Sequence, residues 1–380
     1  MTNIHPALGY SFEDLHAALM ERVNSGSINM VRSGTLALFN YSKDCQFAHQ
    51  WDTFTMMARG LILDTSYNNK SIVALPFVKF FNASEQEGAS VVKFDAPFDA
   101  YTKMDGSLGI VYFHDGSWHV ATRGSLTSAQ SRWAEQWLHN HIKPYHQLDP
   151  NVTYLCEIIY DENRIVINYP FEGLVMLGAY NRVTGIELDY DDLVALCARI
   201  GMRIATRHSF GSFADAQEFV KTLPGNEEGF VIRFRESGER VKLKGSEYCA
   251  LHKIISNITP LAIWELLCSG YSIDDYKKVL PEEFWEEVDE IVEHFQKRAG
   301  TIMLDIVNLY SKVSGMTDRE LGMLIQNDWC AVACAGYLFP YRKKGASEVY
   351  KQVLKNLRPT GNVIEGYTPS DALQRSQSEE

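Results

Sequence analysis

The feature that most constrains the fold is a change in the hydrophobic pattern near residue 250. Before this point, short apolar runs bounded by turn residues alternate with amphipathic segments, which is typical of strands and helices in one domain. After it, apolar residues recur almost throughout at helical spacing. The sequence therefore predicts an α+β domain over residues 1–250 and an all-α domain over residues 251–380, with a loose tail from about residue 368.

Local patterns predict the individual elements. Ser11 can cap a first helix, because its hydroxyl can accept from backbone N–H groups one turn ahead. The predicted helices of the first domain are 11–23, 127–142, 191–200 and 214–221, and its predicted strands include 152–159, 164–169, 173–180, 228–234 and 240–244. In the second domain we predict helices at 252–268, 273–280, 281–298, 301–313, 318–337 and 346–357, the third opened by Pro281.

Composition limits the class of protein. A net charge of −12 argues against bulk attraction to nucleic acid or to an anionic membrane, and leaves room only for a local basic groove. No apolar run is long enough to span a bilayer, and residues 1–10 lack the pattern of a secretory signal. The seven cysteines include no Cys-x-x-Cys pair and lie mostly in apolar runs, so we expect free buried thiols in the cytoplasm and no zinc site.

One short motif carries potential chemistry. Lys103-Met104-Asp105-Gly106 lies between two apolar runs, which predicts a turn between strands. A lysine amine becomes a strong nucleophile when neighbouring cations and partial burial lower its pKa. Gly106 would permit a phosphate or a backbone to approach closely. An exposed Asp-Gly turn that carries a lysine explains the motif equally well when it is taken alone.

Other charged residues lie on or beside predicted strands, which is costly unless they meet a partner or face a polar cleft. Lys79 stands in an aromatic run, either as an edge residue with its amine in water or as an anion ligand. Lys242 and Lys244 lie two apart on one strand face, so they are either solvated or a site for an anion. The full set comprises Arg59, Lys79, Lys103, Arg123, Lys242 and Lys244, with the acids Asp105, Glu157 and Glu228.

The order of these motifs resembles the covalent nucleotidyltransferase superfamily of polynucleotide ligases and mRNA capping enzymes. The order is Lys-x-Asp-Gly, Arg-Gly-Ser, a strand glutamate, Glu-Gly-Phe-Val and Lys-x-Lys. The chain is most similar to the phage tRNA-repair branch of ATP-dependent RNA ligases, from about residue 36 to about residue 360. The segments that carry this likeness are Leu38-Phe39-Asn40-Tyr41, Ala58-Arg59-Gly60, Lys79-Phe80-Phe81-Asn82 and Asn163-Arg164-Ile165-Val166. A helical second domain also fits this branch, whereas DNA ligases and capping enzymes carry a β-barrel.

The resemblance implies a nucleotidyltransferase domain of ATP-grasp-like type, with antiparallel sheets and flanking helices, and a helical domain that selects RNA. Lys103 would attack the α-phosphate of ATP and hold AMP as a phosphoramide. The implied nucleotide-binding residues are Arg59, Lys79, Phe81, Gly106, Arg123, Glu157, Glu228, Lys242 and Lys244, among which Phe81 would lie beside the nucleoside and Glu157 would bind the ribose. Arg123 stands where the family usually has lysine. Magnesium, or manganese, would be held by Asp105, Glu228 and Asp274.

The function implied is sealing of RNA 3′-hydroxyl and 5′-phosphate ends, in tRNA or RNA repair, in the cytoplasm of an infected host cell if the chain is phage-encoded. The partners would be ATP and RNA ends such as a cleaved tRNA anticodon loop, with no membrane. No Gly-x-x-x-x-Gly-Lys-Ser/Thr motif is present, so a separate kinase or phosphatase would heal the ends. A DNA ligase or capping guanylyltransferase, and a non-catalytic nucleic-acid-binding protein, are the alternatives.

Overall fold

The computed structural model describes residues 4–142, 147–278, 280, 284–329, 332–360 and 363–369. The chain divides into two compact units, Met1–Ala250 and Leu251–Glu380. Strands and helices build the first unit, and the described elements of the second unit are helices. This architecture confirms the predicted α+β class with a helical C-terminal region. Most of the predicted tail, from residue 370 onward, lies outside the described residues.

The described strands of the first unit form three sheets. The strands are β1 (Ile28–Ser33), β2 (Leu36–Tyr41), β3 (Arg59–Asp64), β4 (Ser71–Ala74), β5 (Phe81–Asn82), β6 (Phe98–Thr102), β7 (Ser107–His114), β8 (Ser117–Thr122), β9 (Val152–Ile159), β10 (Gly173–Asn181), β11 (Arg203–Ile204), β12 (Arg207–His208), β13 (Gly229–Phe234) and β14 (Arg240–Lys244). Sheet 1 has the order β1-β2-β3-β4, sheet 2 the order β11-β10-β9-β7-β8, and sheet 3 the order β12-β6-β13-β14-β5. The neighbours are antiparallel, except that β10 with β11 and β14 with β5 run parallel.

Helices cover the sheets. They are α1 (Phe12–Asn24), α2 (Lys43–Phe47), α3 (Thr53–Met57), α4 (Gln86–Val91), α5 (Ala129–His141), α6 (Tyr190–Ile200), α7 (Phe213–Val220) and α8 (Ser246–Ser256), of which the last crosses the boundary between the units. Ser11 caps α1, because its side chain accepts from Asp14 N at 3.1 Å, as the sequence predicts.

Alternation along the strands of sheet 2 separates two apolar cores. Ile110 and Leu155 are buried on one side, with the core that sheet 1 and α1 share. Val111 follows Ile110 and Tyr154 precedes Leu155, and these two neighbours are buried on the other side, against α5 and α6. A further core lies between sheet 3 and α7. Sheet 2 is therefore covered on both faces and leaves its strand ends for polar contacts.

A buried carboxylate joins sheets 2 and 3. Glu187, which follows β10, accepts from Arg233 Nε of β13 at 3.0 Å and also from the guanidinium of Arg240 on β14. The Glu187 side chain is only 11% exposed, so the ion pairs are shielded from water. These contacts tie the two sheets together through side chains.

The second unit is built from α9 (Pro260–Ser269), α10 (Ile273–Lys277), α11 (Trp285–Ser311), α12 (Asp318–Asn327), α13 (Leu338–Lys344) and α14 (Ala346–Asn356). Its main core is formed by α11 and α14, with Ala299 and Ile306 packed near Val349 and Val353. In the part of the chain that the structure describes, no helix is both long and apolar enough to cross a membrane.

Three predictions of helix limits are wrong. The predicted helix 252–268 is two helices, because Thr259 caps α9 and Pro260 has no N–H to continue α8. The predicted helices 281–298 and 301–313 are joined as α11, whose burial of Ala299 and Ile306 offsets the roughly 1 kcal/mol cost of Gly300 inside a helix. The predicted helix 318–337 ends as α12 at Asn327. Pro281, predicted to open a helix, lies outside the described residues.

The predicted strand at residues 164–169 is also wrong. This segment is a loop after the 3-10 helix Asp161–Asn163. The backbone N–H groups of Val166 and Ile167 both donate to Asp105 Oδ2, at 2.9 and 2.8 Å, and not to a neighbouring strand. The apolar segment is therefore a loop and not a strand, because the distant side chain of Asp105 binds its backbone donors.

Candidate active site

Lys103 lies where the chain passes from one sheet to another. It follows β6 of sheet 3 and precedes β7 of sheet 2, and its backbone N–H donates to Gly229 O at 2.8 Å. The sequence correctly predicts a turn between strands, but not that the two strands belong to different sheets. The lysine is consequently fixed between sheets 2 and 3 on a short segment with little freedom.

Glu228 joins two of the predicted cations. Lys103 Nζ donates to Glu228 Oε2 at 2.6 Å, and Lys244 Nζ lies 3.1 Å from Oε1. The Glu228 side chain is 1% exposed. Burial alone would raise the pKa of Glu228, but the charges of Lys103 and Lys244 outweigh burial and lower that pKa below its ordinary value. The site thus contains an ionised carboxylate clamped between two ammonium groups.

Lys242 and Lys244 occupy the polar face of β14. Val241 and Leu243 alternate with them and are buried in the core against α7. Burial lowers the pKa of Lys242 well below its ordinary value, and the charges of Lys103, Lys244, Lys79 and Arg59 lower it further. Lys242 therefore lies within electrostatic range of Lys103 and Lys244 and also of a second group of cations, which includes Lys79 and Arg59.

This second group surrounds the hydroxyl of Tyr41. Arg123 Nη1 donates to Tyr41 Oη at 2.9 Å, and Lys79 Nζ lies 3.4 Å from the same oxygen. Arg59 is adjacent, since it starts β3 and pairs with Asn40, the residue before Tyr41. Burial would raise the pKa of Tyr41, but Arg123, Lys79 and Arg59 outweigh burial and lower it. We call Arg59, Lys79 and Arg123 the distal cations.

Aromatic rings line the distal cations. Lys79 Nζ lies 4.9 Å from the ring centre of Tyr41, 5.1 Å from that of Trp51 and 5.4 Å from that of Phe81. The charged groups of Lys242 and Arg59 each lie 5.3 Å from the ring centre of Phe80. Such contacts stabilise cations at sites that are partly withdrawn from water. The predicted position of Phe81 beside the nucleoside stays a prediction.

Two glycines permit the close contacts of the site. A Cβ on Gly106 would lie 2.6 Å from Ile158 O and 3.1 Å from Glu157 Cγ, so the close neighbour of this glycine is the backbone of β9. Glu157 therefore lies directly against the turn that carries Lys103. Gly60 has a φ of +97°, and a Cβ there would lie 3.3 Å from Arg123 Cα. That close approach brings Arg123 beside Arg59.

Asp105 anchors the turn. Besides the two amides of the 164–169 loop, its Oδ1 accepts from Tyr248 Oη at 2.9 Å, and its own N–H donates to Tyr169 Oη at 2.9 Å. Asp105 is 3% exposed. These contacts assign Asp105 a structural part in fixing the lysine turn, and its predicted part in metal binding stays a prediction.

The predicted metal residues are of different kinds. Glu228 is a buried ionised carboxylate beside Lys103, whereas Asp274 is exposed in the first turn of α10 in the second unit. Within the described ranges, no group of three or more His, Cys, Asp and Glu residues converges as a metal cage. Magnesium is usually held by one or two carboxylates together with substrate phosphates and water. The isolated carboxylate of Glu228 fits this kind of binding better than a site made of protein ligands alone.

The structure thus brings eleven of the predicted residues into one region of the first unit. They are Arg59, Lys79, Phe81, Lys103, Asp105, Gly106, Arg123, Glu157, Glu228, Lys242 and Lys244. Sequence reasoning missed Trp51 altogether, and noted Tyr41 only as part of a motif. The pairing of β2 with β3, signalled by two apolar runs, could have placed Tyr41 near Arg59.

A family model described as RNA ligase matches residues 57–248, just over half of the chain. This match covers Lys103, Glu228 and Lys244. The chain belongs to the RNA ligase family.

Individual relatives are more distant. The chain is 26% identical over 291 residues to a protein of Autographa californica nuclear polyhedrosis virus named as a bifunctional polynucleotide kinase/RNA ligase, and this match covers 68% of the chain but only 41% of that relative. It is 22% identical over 385 residues to the RNA ligase of Rhodothermus phage RM378, covering 82% of the chain and 84% of the relative. Among solved structures, an archaeal ATP-dependent RNA ligase is 12% identical with a TM-score of 0.47, over 97% of the chain and 98% of that structure.

Proposed function

We propose that this member of the RNA ligase family is an ATP-dependent RNA ligase that works through a lysyl-AMP intermediate. The observation that carries the proposal is the contact of Lys103 Nζ with a buried, ionised Glu228 at 2.6 Å, with Lys244 on the other carboxylate oxygen. A nucleophilic lysine needs a group that can take its proton and cations that receive the phosphate charge. Glu228, the proton acceptor, contacts Lys103 directly, and the cation Lys244 contacts the same carboxylate.

In the first step Lys103 Nζ would attack the α-phosphorus of ATP. A nitrogen–phosphorus bond forms, the bond from the α-phosphorus to the bridging oxygen breaks, and pyrophosphate leaves with the electron pair. Glu228 Oε2, which Lys103 Nζ contacts at 2.6 Å, would accept the proton of the Lys103 ammonium group. AMP then passes to an RNA 5′-phosphate, and a 3′-hydroxyl displaces AMP to seal the strand.

The remaining residues would bind and position the nucleotide. Lys244 and Lys242 would contact the α-phosphate, because they lie on the side of Lys103, and the distal cations would contact the phosphates that leave. Glu157 would accept from the ribose hydroxyls, Phe81 would lie beside the nucleoside, and Gly106 would keep the turn close to Glu157. Catalysis by such a site depends on prepositioned charge more than on acid–base groups.

We further propose a divalent cation, magnesium or manganese, near Glu228, with Asp105 as a further ligand. When bound, it would neutralise phosphate charge and compete with Lys103 for the Glu228 carboxylate. The ionised state of Glu228 supports this assignment. For Asp105, the contacts with Tyr248 and the 164–169 loop would then have to rearrange or be shared.

The first unit would thus be the adenylyltransferase domain and the second unit would select RNA. We propose broken RNA, such as a tRNA cleaved in its anticodon loop, as the substrate, in a cytoplasm where the six described cysteines remain free thiols. The name of the viral relative pairs a kinase with a ligase, which supports end healing as the preceding step. For this chain, a separate kinase or phosphatase would heal the RNA ends. The helical character of the second unit argues against a DNA ligase or a capping enzyme.

The test is incubation with magnesium and ATP labelled at the α-phosphate, followed by denaturing electrophoresis and mass spectrometry. The wild type should carry a label that pyrophosphate removes, and Lys103→Ala should not. Lys93→Ala is the matched control, since Lys93 is an exposed lysine that pairs only loosely with Glu239 at 3.8 Å. Adding RNA or DNA ends as acceptors then shows which kind of strand the protein seals.

Other results would redirect the proposal. A label with GTP and none with ATP would indicate a capping guanylyltransferase. Sealing of DNA ends in preference to RNA ends would indicate a DNA ligase. A folded protein that takes no label from either nucleotide would be a non-catalytic binding protein, and its affinity for nucleic acid should then fall steeply with salt.

A further inference from the structure

The indole of Trp51 lies against the distal cations in a fixed position. Trp51 precedes Asp52, whose Oδ1 accepts from Phe54 N and Thr55 N at 2.9 and 2.7 Å and so caps α3. The Trp51 ring contacts Tyr41 edge-on, with the ring centres 5.1 Å apart. It contacts Phe81 in the same manner at 5.3 Å. The capped helix and the two rings leave the indole little freedom to turn.

The indole N–H has no acceptor of its own. Among the residues that the structure describes, Trp51 Nε1 is buried and makes no hydrogen bond. A buried donor without an acceptor destabilises the folded state, and native proteins seldom contain one without a reason. The Lys79 ammonium, 5.1 Å from the centre of the Trp51 ring, is a donor as well. Lys79 and the Arg123 guanidinium both donate to the hydroxyl of Tyr41, whose ring contacts Trp51. An anion is the partner that this set of donors lacks.

The position of Trp51 and the distal cations indicates which anion they would bind. Lys244 meets Lys103 through the Glu228 carboxylate, and Lys242 lies two residues before Lys244 on the same face of β14. Lys242 Nζ and Arg59 Cζ are each 5.3 Å from the ring centre of Phe80, so Lys242 lies beside the distal cations as well. A triphosphate whose α-phosphorus meets Lys103 would therefore pass Lys242 and end among the distal cations. The group that arrives beside Trp51 is the one that leaves as pyrophosphate.

We propose that Trp51 Nε1 donates its hydrogen bond to an oxygen of one of the two terminal phosphates of the nucleotide, and hence to pyrophosphate. This inference rests on the proposed ligase function and adds a binding residue to it. The contact exists only while the triphosphate or pyrophosphate is bound. It belongs to formation of lysyl-AMP and to its reversal, and not to transfer of AMP to RNA or to sealing.

The test uses Trp51→Phe in the full chain, because phenylalanine keeps an aromatic ring against Lys79 and removes the N–H. Trp118→Phe is the matched control, since Trp118 is a buried tryptophan of β8 in the core away from the cations. Three quantities are measured: the KM for ATP in lysyl-AMP formation, the pyrophosphate concentration that half-saturates discharge of AMP, and the rate of sealing of pre-adenylylated RNA.

For Trp51→Phe we expect the first two values to rise together by about tenfold or more, as expected for losing a hydrogen bond to a charged acceptor. Sealing of pre-adenylylated RNA should stay at the wild-type rate, and Trp118→Phe should leave the first two values unchanged. Unchanged values for ATP and pyrophosphate in Trp51→Phe would overturn the inference. An equal loss in all three measurements would also overturn it, because the residue would then be structural.

Failure of the ligase proposal can be told apart from failure of this one. If the wild type forms no lysyl-AMP, calorimetric titration of wild type and Trp51→Phe with pyrophosphate still measures the contact. Weaker pyrophosphate binding to the variant supports the assignment of Trp51 without any chemistry. Equal binding, or none to either protein, contradicts it.

Discussion

Replacing Glu228 by glutamine should destabilise the first unit in a pH-dependent way. The change keeps the size of the side chain and removes the charge that lies 2.6 Å from Lys103 Nζ and 3.1 Å from Lys244 Nζ. At an effective dielectric constant of about 20, each attraction is on the order of 5–6 kcal/mol before desolvation is subtracted. Removing one partner of a buried pair costs about 3–5 kcal/mol net. The two lysine side chains remain 18% and 22% exposed, so water can relieve part of their repulsion and we expect about 3 kcal/mol.

The pH dependence follows from the lowered pKa of Glu228. A carboxylate whose pKa in the folded state lies below its unfolded value stabilises the protein fully above the unfolded pKa, and this stabilisation is lost as the pH falls through the folded pKa. The ordinary pKa of the group is 4.5. The difference between wild type and Glu228→Gln should therefore be constant near neutral pH and shrink below about pH 4.5, where protonated glutamate resembles glutamine.

The assay is denaturant unfolding followed by the circular dichroism of the β-sheets, at several pH values. Glu236→Gln is the control, since Glu236 is an exposed glutamate in the same unit. Its free energy of unfolding should stay within about 0.5 kcal/mol of the wild type. A loss below about 1 kcal/mol for Glu228→Gln, or a loss that does not change with pH, would refute the argument that this carboxylate is ionised and clamped.

Two further predictions concern the fold. Gly229→Ala should lower the free energy of unfolding by at least about 2 kcal/mol, because φ is +134° and a Cβ would lie 2.0 Å from Leu243 O. Thermal unfolding measures this loss, with Gly9→Ala as the control, since a Cβ on Gly9 would meet nothing within 4 Å. The hydrogen bond that His119 donates to the Glu135 carboxylate raises the pKa of His119. The stability that this bond gives is therefore complete below the unfolded pKa and is lost as the pH rises through the folded pKa. Relative to His119→Gln, the wild type should lose stability above about pH 6.5, and parallel pH profiles would contradict this.

Local sequence rules account for much of the site. Lys242 and Lys244 share a strand face because side chains alternate with a period of two, and this holds wherever the strand packs. Ser11 caps α1 through groups only three residues apart. The order of motifs along the chain then suffices to nominate Lys103 and Glu228 before any contact between them is known.

What the sequence could not supply depends on distant contacts. Trp51 joins the distal cations only because α3 and two sheets meet there, and no local pattern separates it from a core tryptophan. The 164–169 segment has the apolar composition of a strand, but Asp105 takes the two backbone donors that a neighbouring strand would need. Propensity is overruled at this point by a side chain about sixty residues earlier in the chain.

The ion pairs of Glu187 have a mechanical consequence for the lysine turn. Sheets 2 and 3 are linked covalently at two places, through Lys103 between β6 and β7 and through residues 205–206 between β11 and β12. The ion pairs of Glu187 with Arg233 and Arg240 add a third, non-covalent link. These links limit how far one sheet can rotate against the other, and Lys103 lies on one of them. Loosening the Glu187 ion pairs is therefore expected to change the position of the Lys103 amine without touching any group that is proposed to bind the nucleotide.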